Sequence, residues 1–325
     1  MKRLIFVLLL CAAGMKVSAE ERDSLLTVFW NLENFFDHHD DGNSESDHEF
    51  SPEGKRRWTA GRFYDKCHLV AKSLFWIGDR CGRMPDVVGV AEVENRYVLN
   101  SLLKSTSLRK YDYAVVHRDS RDKRGIDVAL IYRKSSFELI DISCHVPEYE
   151  EVKMNTRDIL HVRMSRKSDG RIYDFIVNHH PSKFGGAKES DGRRMAAMET
   201  LRAVCDSLTG LPVVEEYAGI VAMGDFNDNP SGHQFDLLNG ALVNACADEF
   251  ERGEGTIRFE GKWDLIDMFW VSPEICEMSR SEILRIPFLM TRERKHPGEK
   301  PLRTYSGPRY LGGVSDHCPV VLLTE

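Results

Sequence analysis

Apolar residues recur along this chain in short runs, each closed by polar residues. Leu25–Trp30, Val87–Val93, Tyr113–His117, Val128–Tyr132, Ile159–Met164, Ile172–Val177, Ile220–Met223, Leu265–Val271 and Val320–Leu323 are rich in branched and aromatic side chains and too short for helices, so they predict strands. Arg62–Ile77 and Arg193–Leu208 carry apolar residues near helical spacing and predict helices. Strands mixed with helices over this length predict a layered α/β domain, with two sheets packed together and helices outside. No internal repeat or low-complexity linker divides the chain. Two long polar stretches interrupt the pattern. Asp37–Thr59 fits an EF-hand only loosely, because His39 and His48 stand where oxygen ligands are needed, and reads as a surface loop. Thr291–Gly313, rich in Arg, Lys, Pro and Gly, is expected to overhang a site, as long loops often do.

The start of the chain follows a different pattern. Lys2 and Arg3 precede an apolar run, Leu4–Gly14, that falls short of the roughly 20 residues a membrane span requires. Val17-Ser18-Ala19 then supplies small residues for cleavage. Residues 1–19 read as a secretory signal peptide, leaving 20–325 as a single catalytic domain exported to the periplasm or the medium. Cleavage would remove Lys2, Arg3 and Lys16 and no acid, leaving 41 basic against 51 acidic residues and moving the net charge from −7 to −10. So acidic a protein does not adhere non-specifically to polyanions, and a phosphodiester substrate would need local basic patches or metal ions. Seven cysteines remain, an odd number without a Cys-x-x-Cys pair. They read as buried reduced packing residues, with Cys67–Cys81 the one bridge considered.

The polar residues that close the strands repeat one design. Asn31 and Glu33 follow Val28–Trp30, Glu92 follows Val87–Ala91, and Asn178-His179 closes Phe175–Val177. Asp225 and Asn227 close Ile220–Gly224, Asp264 and Asp267 flank the start of Leu265–Val271, and Ser315-Asp316-His317 precedes Pro319–Leu323. Any one of these has an ordinary explanation, since turns need polar residues. Together they supply several carboxylates, two amides and two histidines, with no nucleophilic Ser or Cys in a recognisable setting. Hard oxygen donors suit Mg²⁺, with Mn²⁺ or Ca²⁺ as alternatives, whereas zinc would want more His or Cys. Such an ion polarises a phosphoryl oxygen, and a histidine beside an acid can move a proton from water.

In order and local sequence these segments resemble the endonuclease/exonuclease/phosphatase superfamily, which includes pancreatic deoxyribonuclease, abasic-site endonucleases, bacterial sphingomyelinases and inositol polyphosphate 5-phosphatases. The matching pieces are Phe29–Asn34, Val90–Val93, Gly125–Ala129, Asn178-His179, Gly224–Asn227, Leu265–Asp267 and Ser315–His317. The resemblance implies a four-layer sandwich, two mixed sheets face to face with helices on both outer sides, and a metal-dependent phosphoric ester hydrolase. It implies that Glu92 is the main metal carboxylate, with Asn31 and Glu33 beside it and Asp316 near the metal. Asp225 and Asn227 would position water and phosphate. His317, oriented by Asp267 rather than Asp264, would be the general base or a phosphate contact, and His179 would bind phosphate or protonate the leaving oxygen. Two departures stand out: Ala91 occupies a place where nuclease relatives often have Gln, and the strand-end histidine is doubled as His179-His180.

Substrate class rests on the loops. The basic run Arg118–Arg124, with Arg124 nearest the matching segments, together with Lys183 and Arg303 beside Tyr305, suits a nucleic acid, since basic groups contact phosphate and aromatics stack on bases. An exported endonuclease or exonuclease on DNA or RNA is the leading expectation. The alternatives are a phosphatase or phospholipid phosphodiesterase on the same scaffold, and a binding protein without turnover.

Overall fold

The structure, a computed structural model, describes residues 24–183, 187–212 and 214–325; the leader expected at 1–19 lies outside them. Two six-stranded sheets dominate. Numbering only their strands, the first sheet contains β1 (Leu25–Phe35), β2 (Val87–Val93), β3 (Tyr113–His117) and β4 (Asp127–Arg133), then β11 (Ser279–Ile283) and β12 (Val320–Thr324). The second contains β5 (Phe137–His145), β6 (Ile159–Arg166), β7 (Ile172–His179), β8 (Tyr217–Asp225), β9 (Val243–Asn244) and β10 (Asp267–Val271). The spatial orders are β11-β12-β1-β2-β4-β3 and β9-β10-β8-β7-β6-β5. Each sheet has one parallel pair at its centre, β1 with β2 and β8 with β7, and every other pairing is antiparallel.

Period-two alternation separates the layers. Phe29 and Ala91 face inward and join Phe175, Val177 and Met223 in the core between the sheets. Gly89 admits Met223 here, because a Cβ on Gly89 would lie 2.4 Å from the Met223 sulfur. Val28, Trp30, Val88 and Val90 face outward onto helices α1 (Ala60–Arg80) and α2 (Arg96–Ser105). Thr59 and Asn95 cap those helices by accepting the N–H groups of Arg62 and Val98. Helix α3 (Ala187–Thr209) covers the other sheet through Met198, Leu201 and Cys205. The helix–sheet–sheet–helix sandwich expected from the sequence is therefore the observed fold.

Several details differ from expectation. Asp37–Thr59 is not an open surface loop. Phe50 and Trp58 are buried, Trp58 Nε1 donates to the Phe36 carbonyl at 2.9 Å, and Asp37 accepts the Asn95 amide and the His39 N–H, a turn and not a calcium loop. Thr291–Gly313 contributes two small hairpins, Met290–Arg292 with Glu299–Pro301 and Tyr305–Ser306 with Arg309–Tyr310. Cys67 and Cys81, like the other cysteines described, are free. Among the described residues no helix is long and apolar enough to cross a membrane.

Candidate active site

Sheet register brings the strand-end residues together. Asp225 at the end of β8 lies opposite His179 on β7 and opposite Asp267 on β10. Gly224 permits this close pairing, since a Cβ there would lie 2.5 Å from the Asn178 carbonyl oxygen. Asn31 on β1 reaches across from the first sheet and donates its amide to Asp225 Oδ2 at 2.9 Å. His317 enters just before β12. Its Nδ1 is 2.7 Å from Asp267 Oδ2, and its Nε2 is 4.0 Å from Asp225 Oδ2. Ser315 fixes that segment by donating to the Asn31 carbonyl and accepting the His317 N–H, while Trp30 Nε1 donates to the His317 carbonyl. His179 Nε2 stands 3.6 Å from Asp225 Oδ2 and 4.0 Å from Glu92 Oε1.

Four side-chain-bearing residues here adopt left-handed backbone: Glu33 (φ 45°), Asn34 (φ 49°), Glu92 (φ 60°) and Asn227 (φ 51°). Each such conformation costs on the order of 1–3 kcal/mol and persists only where neighbours enforce it. The enforcing bonds are visible. Asn34 N–H donates to Glu92 Oε2 at 2.8 Å, Asn227 N–H to Asp225 Oδ1 at 2.9 Å, and Glu33 N–H to Asn31 Oδ1 at 2.9 Å.

Burial separates the two histidines electrostatically. It pulls His179 well below the ordinary imidazole range, aided by the positive charges of Arg157 and Arg124, so His179 is neutral. Burial also pulls on His317, but the Asp267 carboxylate and its hydrogen bond, with Asp225 and Asp316 behind them, lift it well above that range. Burial and then the adjacent Asp267 charge raise the Asp225 carboxyl.

Of the residues expected from the sequence, Asn31, Glu92, His179, Asp225, Asp267 and His317 converge. Asp267, not Asp264, holds His317. Asn227 is two residues beyond the β8–β10 pairing and donates its amide to the His180 carbonyl at 2.9 Å. Asp316 stands at the rim, 3.0 Å from Arg303. Arg124 donates to Asn34 Oδ1 and lies 3.5 Å from Glu92.

Other expectations need correction. Glu33 is not an open ligand: Oε1 accepts from Arg303 at 2.8 Å and Oε2 from the Thr304 N–H at 3.0 Å, so it anchors the late loop. Tyr305 presents no face to a substrate. It is buried against Phe50, Trp58 and Tyr310, and its hydroxyl donates to the Arg56 carbonyl. Lys183 is paired with Asp228 at 2.6 Å. His180 turns into the core against Phe226 with neither ring nitrogen bonded, and burial drives it down to about 3.

Sequence reasoning missed Lys66. Its ammonium is buried within α1 and donates to the Glu33 carbonyl at 2.6 Å and to Thr304 Oγ1 at 2.9 Å, tying β1 to the late loop.

The donors also suit a metal. Asp225 and Asp267 offer carboxylate oxygens within 4.8 Å of one another, Glu92 adds a carboxylate across His179, and Asp267 Oδ1 is buried without a partner. Oxygen-rich, with acids outnumbering the cations that touch them, this set fits a hard divalent ion.

Comparison with known proteins agrees. The profile of the endonuclease/exonuclease/phosphatase family matches residues 26–325, while no curated protein matches. A mannosyl-6-phosphatase of Bacteroides thetaiotaomicron aligns with a TM-score of 0.58 at 18% identity, covering 93% of this chain and 100% of that one. The human Nocturnin catalytic domain with bound sulfate has a TM-score of 0.58 at 15% identity, covering 93% and 94%. D. rerio TDP2 with a single-stranded DNA product has a TM-score of 0.56 at 13% identity, covering 93% and 100%. Given two packed six-stranded sheets and a family profile that spans them, the chain belongs to the endonuclease/exonuclease/phosphatase family of phosphoric ester hydrolases, for which dependence on a divalent metal is typical.

Proposed function

We propose that the protein hydrolyses phosphodiesters of nucleic acid with the help of Mg²⁺, Mn²⁺ or Ca²⁺ being alternatives. The observation that carries the chemistry is the placement of His317, held by Asp267, and of His179, each within 4.0 Å of Asp225 Oδ2. Glu92, with Asn31 Oδ1 and Asp316, would hold the ion, which polarises a phosphoryl oxygen and stabilises the leaving oxyanion. The chain's own groups do the rest. Asp225, oriented by the Asn31 amide and the Asn227 N–H, takes a proton from the attacking water, and its raised pKa suits a general base near neutrality. The His317 imidazolium meets the negative charge that grows on the phosphoryl oxygens, so it acts as a phosphate contact and not as the base. His179, neutral, donates an N–H to the phosphate or the leaving oxygen.

A second reading, a phosphomonoesterase, is favoured by a small cavity of about 100 Å³ where Asn34, Arg56 and Arg303 stand beside Glu33, its size suiting a terminal phosphate. Export remains a proposal resting on the leader-like residues 1–19. Purified protein would be incubated with plasmid DNA, single-stranded RNA, bis-(para-nitrophenyl) phosphate and para-nitrophenyl phosphate, with Mg²⁺ or with chelator. Chelator-sensitive cleavage of either nucleic acid is expected. Turnover of the monoester alone would transfer the assignment to the second reading, and no turnover of any substrate would sink both.

A further inference from the structure

Beside the site runs a groove of about 690 Å³ that none of the roles above uses. Its floor includes Arg157, whose Nη2 donates to the His180 carbonyl at 2.7 Å, the carbonyl that also accepts the Asn227 amide. The groove therefore begins two residues from the catalytic His179, at Pro181. One wall is the hairpin Glu148–Tyr149 with Val152–Lys153, and the other is the start of α3.

Three features mark it as a built surface. The hairpin is joined by Glu150 (φ 52°) and Glu151 (φ 63°), the left-handed pair that a two-residue turn requires. Tyr149 fixes the hairpin on Gly192 of α3: a Cβ at Gly192 would lie 2.9 Å from both Cε2 and Oη of the tyrosine. Tyr149 nevertheless keeps 38% of its surface exposed. The charge on the lining is also one-sided. Arg157 is matched by Asp122 at 3.0 Å, but the exposed Lys123, Lys153 and Arg193 make no salt bridge among the described residues, and Glu150 is the single acid on the lining. In a chain with a net charge of −7, three exposed cations gathered on one groove whose described lining carries one acid form a site for anions.

We infer that this groove holds the stretch of a nucleic-acid strand flanking the scissile phosphate, with neighbouring phosphates on Lys123, Lys153 and Arg193 and a base on the open face of Tyr149. The inference rests on the nucleic-acid reading of the site and adds where the strand runs. It makes the enzyme selective for long substrates by binding and not by chemistry.

The test separates binding from catalysis. A fluorescein-labelled single strand of about 10 nucleotides is titrated in chelator, so that nothing is cleaved, with wild type, the double variant Lys153→Ala/Arg193→Ala, and Gly192→Ala. The glycine change favours the helix by up to about 1 kcal/mol, so folding survives while Tyr149 is displaced. Bis-(para-nitrophenyl) phosphate, too small to reach the groove, reports the centre separately. The double variant is expected to bind the strand about tenfold more weakly, with a salt slope shallower by roughly 1.4 for two lost phosphate contacts. Gly192→Ala should weaken binding at least fivefold through lost stacking, the low end of about 1–3 kcal/mol per base. Hydrolysis of the small diester should stay within about twofold of wild type in both. Wild-type strand affinity and salt slope in both variants, with the small diester still turned over, would overturn the groove and leave the chemistry standing. Failure of wild type to hydrolyse any diester would instead remove the reading of the centre. Binding of a phosphorylated glycan, but of no strand, lost in the double variant would replace the proposed occupant.

Discussion

The charged state of His317 is the most exposed point of the proposed chemistry, and Asp267→Asn tests it with little change of shape. His317 Nδ1 and Asp267 Oδ2 are 2.7 Å apart, with side chains only 11% and 1% exposed, so solvent screens the pair weakly. A hydrogen bond between charged groups contributes about 1.5–3 kcal/mol. Since about 1.4 kcal/mol is a factor of ten in an equilibrium, loss of the carboxylate should shift His317 toward the neutral imidazole by roughly 10- to 150-fold. The folded pKa of His317 lies well above the ordinary imidazole value of 6.5, so the imidazolium is present at neutral pH and is lost as pH rises through the folded value. If the imidazolium is the active form, kcat/KM on bis-(para-nitrophenyl) phosphate falls along an alkaline limb set by His317. In Asp267→Asn that limb moves to lower pH, and the rate at neutral pH drops by about 10²-fold, the scale of one lost transition-state contact. The pH profile with saturating Mg²⁺, together with the imidazole NMR titration of His317, gives both quantities. Stability follows the same sign: the pair stabilises the native state fully below the unfolded imidazole pKa and less as pH climbs through the folded one. An alkaline limb that stays in place in the variant would refute the reasoning. So would an acid limb that moves instead, because that would make His317 the base.

Other outcomes follow from the same contacts. Glu92→Gln should weaken Mg²⁺ binding at least 10-fold by calorimetric titration, since it removes a ligand and outer-shell changes alone cost 10–100-fold; unchanged affinity would exclude Glu92 as the metal carboxylate. Lys66→Met should cost about 1–3 kcal/mol in urea unfolding, because it leaves the Glu33 carbonyl without its buried donor; a loss well below about 1 kcal/mol would mean that the ammonium does not tie β1 to the late loop. Gly224→Ala, with its Cβ 2.5 Å from the Asn178 carbonyl, should separate Asp225 from His179 and lower turnover by at least 10-fold; a fully active variant would show that the register tolerates the displacement.

The sequence was most legible where burial on both faces leaves one choice. The central strands β1, β2, β7 and β8 are almost uninterrupted apolar runs because sheet and helix cover them on opposite sides, and the polar residues ending them stand out for that reason. Of the edge strands only β3 was legible. In β5 only Phe137 is fully buried, and β11 reads Ser-Arg-Ser-Glu-Ile, so neither carries a clear alternation. Helix α2 carries a readable signal, with Asn95 as cap and Val98, Leu99, Leu102 and Leu103 on one face.

Within the site the division follows sequence distance. Asp225, His179, Asp267 and His317 announce themselves because each ends or borders a strand whose register then sets its position. Lys66 does not, since its partners lie 33 and 238 residues away and a lysine on a helix usually faces water. Tyr305 misled for the complementary reason: an aromatic beside Arg303 looks like a stacking platform until the loop is seen to fold over Trp58. The same logic explains why the reaction can be read earlier than the substrate. Reaction chemistry sits on strand ends, where local sequence and sheet pairing fix geometry together. The substrate is selected by loops whose placement depends on single long-range fits such as Tyr149 on Gly192, and a glycine inside a helix gives no local sign that a hairpin some forty residues earlier needs its missing side chain.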